Sequence, residues 1–173
     1  MGDRVYATLE IGGRLETVEE AEKCVSALVT EELVNDEKHA QTVLRESVER
    51  TRCMWFEVTE QNYGTFDHVE AATKLIPGLM CATKYGAGSE FPEGWLLVAH
   101  IDGEAQAFSI PTNGGDPCID YRDVKGIAEL GDRPLATMVR EKMELIKLAE
   151  SIPPLSASPT VTAWLKIFGE MAA

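Results

Sequence analysis

The chain has 173 residues and a mass of 19.0 kDa, enough for one ordinary domain with its own core. Apolar residues make up 45% and charged residues 26%, which excludes a disordered or fibrous chain. Sixteen basic against 29 acidic side chains leave −13, and a balance so negative argues against direct binding of nucleic acid or an anionic membrane.

Residues 4–11 alternate, with Val5, Ala7, Leu9 and Ile11 on one side, the period of a half-buried strand that Gly12-Gly13 is expected to break. Thr17 and Glu20 form a capping-box pattern opening a helix over 17–34. Its apolar face carries Val18, Ala21, Val25, Leu28 and Val29, and its polar face carries Glu19, Glu20, Glu22 and Glu31. Asn35-Asp36 marks a break and a new cap, followed by a second apolar stripe of Ala40, Val43, Leu44 and Val48. Residues 53–59 read as a strand rich in aromatic and β-branched side chains. Asp67 and Glu70 are expected to cap a helix that Pro77-Gly78 stops, and 79–85 forms a further strand. Asp102-Gly103 is a two-residue hairpin signal joining strands 95–101 and 104–110.

A Pro/Gly/Asp-rich connection over 111–133 precedes a helix from Pro134 to about residue 150, which Pro153-Pro154 ends. Residues 160–171 form a last helix anchored by Trp164, Leu165 and Phe168. The expected fold is α+β: a mixed, largely antiparallel sheet with helices on one face, followed by C-terminal helices. Residues 1–151 are taken as the domain, with 155–173 as a helical appendage. Trp164 and Phe168 share one helical face there, which would serve a homodimer. A shift of 51 positions superposes seven identities, from Thr8 on Thr59 to Leu28 on Leu79, so 4–34 and 55–85 are read as duplicated strand–helix units whose helices lie side by side.

The four cysteines, Cys24, Cys53, Cys81 and Cys118, show no C-x-x-C spacing. Reduced thiols and a cytoplasmic location are expected, since no signal-peptide segment opens the chain and no apolar run is long enough to span a bilayer. His68 beside Asp67 and Glu70, and His100 beside Asp102, are the candidate general bases, because acid–base work wants a histidine oriented by a carboxylate. Helix capping and a hairpin turn already explain those carboxylates. Asp116, Asp120 and Asp123 lack the order of a calcium loop, and the glycines of 84–94 lack the G-x-x-x-x-G-K-[ST] order of a phosphate loop, with no lysine ending the segment. No metal or cofactor is expected.

The acidity is uneven. Residues 1–50 hold 6 basic and 12 acidic side chains, residues 51–130 hold 5 and 12, and residues 131–173 hold 5 and 5. The expected function is therefore non-catalytic binding of a basic protein partner, with inhibition of a nucleic-acid-handling protein as one form of it. Glu19, Glu20, Glu57, Glu60, Tyr63, Tyr85 and Trp95 are the expected contact residues, carboxylates for steering and aromatics for anchoring. The alternative is a small cytosolic enzyme or ligand-binding domain using His68 or His100.

Overall fold

A computed structural model describes residues 4–62, 65–87, 92–119, 125 and 135–170. In chain order the strands are β1 (Arg4–Leu15), β2 (Met54–Asn62), β3 (Leu79–Tyr85), β4 (Gly94–Ile101), β5 (Glu104–Asn113), β6 (Asp116–Pro117) and β7 (Ser156–Ala157). The helices described are α1 (Val18–Thr30), α2 (Glu37–Glu49), α3 (Asp67–Leu75), α4 (Leu135–Glu150) and α5 (Pro159–Glu170). The sheet runs β2-β1-β3-β4-β5-β6, every neighbour antiparallel, and β7 adds a short parallel pairing to the end of β1 at Arg14 and Leu15. This is the expected α+β architecture of a largely antiparallel sheet followed by C-terminal helices, with helices on both faces of the sheet rather than on one.

The sheet separates two apolar layers. On one side Leu9 and Ile11 of β1, Met54 of β2, Cys81 of β3 and Val98 of β4 pack against Ala21, Val25 and Leu28 of α1, Leu44 of α2 and Val69 of α3. α1 and α3 lie side by side in this layer. On the other side Ala82, Leu97, Ala99 and Ile110 meet Ala149 of α4 and Ile152 just beyond it. The C-terminal helix α4 thus covers the face that α1, α2 and α3 leave open. β3 and β4 are buried on both faces, which is why they read as continuous apolar runs rather than alternations.

Two local expectations are corrected. Gly12-Gly13 does not break β1, which continues to Leu15. The chain leaving α4 crosses over the pair: a β-carbon on Gly12 would lie 2.0 Å from the Pro153 carbonyl oxygen, and the Gly13 N–H donates to that oxygen at 3.1 Å. Gly13 also holds φ +109°, a conformation open to glycine. The glycines permit a crossing, not a turn. At α3 the N-cap is Phe66 with no side-chain cap, and Asp67 is the first helical residue. The Glu31 carboxylate, from the end of α1, instead accepts the His68 N–H at 2.8 Å, while Glu70 accepts the Phe66 N–H.

The segment beginning at residue 155 is part of the core rather than an appendage. Leu155, Val161 and Leu165 are buried within the main layer, α5 packs on α2 and α1, and the Ser158 N–H donates to the Leu15 carbonyl. Ser158 also bonds the Glu16 carbonyl through its hydroxyl at 2.7 Å. The Asp102-Gly103 turn is as expected, both residues having positive φ.

Candidate partner-binding surface

α1 is amphipathic because its apolar positions recur every three or four residues, so burying that stripe turns the glutamates to water. Thr17 and Glu20 complete the capping box, with Thr17 Oγ1 accepting from the Glu20 N–H and Glu20 accepting from the Thr17 N–H. Glu20 is thereby held at the helix start. Glu19 pairs with Lys23 at 2.8 Å, which lowers its pKa through the lysine's hydrogen bond and charge. Asp36 accepts the His39 N–H and caps α2. Residues 16–37 hold eight carboxylates, Glu16, Glu19, Glu20, Glu22, Glu31, Glu32, Asp36 and Glu37, against Lys23 alone. Their local balance of −7 is over half of the chain's −13.

A cleft of about 410 Å³ opens within this surface, lined by Glu22, Val25 and Ser26 of α1, Glu37 and Gln41 of α2, and Trp164 of α5. Val25 is buried, whereas Glu22 and Glu37 are exposed.

Three other expected contact residues, Glu57, Tyr85 and Trp95, do not line this cleft. Glu57 lies on the opposite face of the sheet, since Met54, Phe56 and Val58 of the same strand turn toward the helices. Trp95 also turns to that reverse face, half-buried, with the Lys84 ammonium 4.6 Å from its ring centroid. Tyr85 packs against the main core. Tyr63 and the side chain of Glu60 lie outside the described residues, as do Asp120 and Asp123 and the side chain of Phe168. Sequence reasoning overlooked two further aromatics on the reverse face, Tyr6 and Trp55, exposed at 48% and 54%. Both occupy the outward positions of strands whose alternate residues are apolar, which is a readable signal. Partial desolvation and the neighbouring Glu57 carboxylate raise the Tyr6 pKa.

The two candidate histidines, His68 and His100, sit toward opposite ends of α3. His68 is exposed in its first turn. His100 reaches the Thr73 carbonyl near its end, Nε2 to oxygen 3.2 Å, while Nδ1 is buried with no hydrogen-bond partner among the described residues. Thr73 Oγ1 donates to the Val69 carbonyl, and its hydroxyl also reaches the Cys81 thiol. A buried cluster of Glu70, Thr73 and Cys81 with the His100 ring thus forms beneath α3, unseen in the sequence. Burial pushes the Cys81 thiol to about 12, so it holds its proton at neutral pH. That is not an activated nucleophile, which needs a thiolate.

No family model, curated protein or solved structure matches this chain. Among the described residues no three His, Cys, Asp or Glu side chains gather as a metal site, and no helix is long and apolar enough to cross a membrane. All four cysteines are free. The cleft sets two carboxylates, Glu22 and Glu37, beside the Trp164 indole, a combination with the chemistry to attract a cation.

Proposed function

We propose that this protein acts by binding a basic protein partner through the surface of α1, the α1–α2 connection and the start of α2, and not by catalysis. One observation carries the reading: eight carboxylates against one lysine between residues 16 and 37, the stretch that enters α1, forms it and leads into α2. Such a surface steers a basic partner during diffusional encounter and disfavours acidic ones. A nucleic-acid-handling protein fits this chemistry, because carboxylates can occupy the surface that otherwise takes phosphates. Inhibition of such a protein, in the cytoplasm, is the form of the function we favour.

The test is comparative capture from the native host at low and high salt. The native chain is run beside Glu19→Lys/Glu32→Lys and beside Glu57→Lys, which alters only the reverse face. The reading expects a basic protein retained by the native chain and by Glu57→Lys, and lost from the double variant or at high salt. Retention by the double variant would refute it, and loss from Glu57→Lys alongside would move the interface to the other side of the sheet.

A further inference from the structure

We infer that the cleft between α1, α2 and α5 seats an arginine side chain of the partner; this rests on the proposed function and specifies its chemistry. The cleft brings together what a guanidinium requires. Trp164 supplies an indole wall, and the best cation–π partner among side chains is the indole. Glu22 and Glu37 flank it from two different helices, and neither makes an ion pair or hydrogen bond among the described residues. Ser26 and Gln41 add neutral oxygen acceptors, and buried Val25 gives an apolar contact for an aliphatic stem.

The cations nearest along the three helices, Lys23 of α1, Lys38 and Arg45 of α2 and Lys166 of α5, are not among the described residues that line the cleft. Its charge is therefore left to be matched from outside. At about 410 Å³ it falls in the range of ligand clefts, roughly 300–1,000 Å³, and is large for a bare ammonium. Arginine fits better than lysine on three counts. Its planar head stacks on an aromatic face, its five donors reach carboxylates on two sides, and it is more weakly hydrated. The surrounding carboxylates of residues 16–37 draw a basic chain to the cleft, and the cleft then selects one side chain from it.

The test uses the full chain with Trp55→Phe and Trp95→Phe, leaving Trp164 as the only indole, titrated with N-acetyl-arginine amide while its fluorescence is followed. The indole N–H resonances of the native chain provide the same readout without substitutions. A saturable change is expected, with N-acetyl-lysine amide binding more weakly. Glu22→Gln/Glu37→Gln should weaken arginine binding by roughly tenfold, the loss of charge-assisted hydrogen bonds. No saturable response, equal binding of lysine, or an undiminished response in the double glutamine variant would each overturn the seat. Glu19→Lys/Glu32→Lys lies outside the cleft and separates the two claims. If that variant keeps the partner while arginine still binds, the seat stands and the proposed function fails. If it loses the partner while arginine never binds, the seat alone fails.

Discussion

Glu70 is a carboxyl group in a place that disfavours its charge. Burial raises its pKa, with the nearby Asp67 and Glu31 charges adding to the rise, while the Phe66 N–H and Lys74 act against it. The folded state therefore holds the Glu70 proton more tightly than the unfolded chain does. Its ionisation costs stability above the folded pKa, and that cost is relieved as pH falls through the folded pKa toward the ordinary carboxylate value. Glu70→Gln keeps an oxygen for the Phe66 N–H without the charge. Denaturant unfolding should find it more stable than the native chain at pH 7, with the difference vanishing at acid pH; a difference that does not depend on pH would contradict the assignment. Gly12 poses a steric question instead. Gly12→Ala would drive a methyl group into the Pro153 carbonyl, and overpacking of this kind costs about 1–3 kcal/mol. A fall of that size in unfolding free energy is the expected result.

At the scale of elements, the C-terminal segment decides whether the core is complete. Leu155, Val161 and Leu165 are buried in the main layer, so Leu165→Ala should cost about 2–5 kcal/mol, the usual range for a core leucine. Deleting 155–173 removes β7, α5 and a wall of the cleft together. Circular dichroism of that truncation should show global unfolding, and a native-like spectrum with a sharp transition would contradict the packing. The helices and most strands were legible because their patterns are local: the Thr17 capping box, the alternation of Val5 through Ile11, the Asp102-Gly103 turn. What was not legible depends on distant partners. Gly12-Gly13 resembles a break until Pro153 is seen crossing it, 140 residues later. Ser158 and Leu165 look like a linker and a loose helix until Leu15 and the α1–α2 layer receive them. Asp67 loses the capping role at α3 to Glu31, which no local window contains. The candidate surface was half legible, since composition located the acid but not which carboxylates share a side of the sheet.

For the whole molecule, the two faces differ in kind. The helical layer carries the carboxylates of residues 16–37 and the Trp164 cleft, whereas the reverse face is partly covered by α4 and leaves Tyr6 and Trp55 exposed beside β2. His68→Ala and His100→Ala should both leave partner binding unchanged, as neither ring lines the cleft. Loss of binding in a folded histidine variant would place the function at α3 instead. The central claim is that the charge of α1 and the α1–α2 connection governs encounter with a basic protein. The direct measurement is the association rate constant of the captured partner against ionic strength, for the native chain and for Glu19→Lys/Glu32→Lys. Glu20 is left intact because it caps α1. Steering predicts a native rate that falls steeply as salt shortens the Debye length to about 8 Å, a rate about tenfold or more lower in the variant at low salt, and a dissociation rate changed much less. Equal association rates for the two chains, insensitive to salt, would contradict the account.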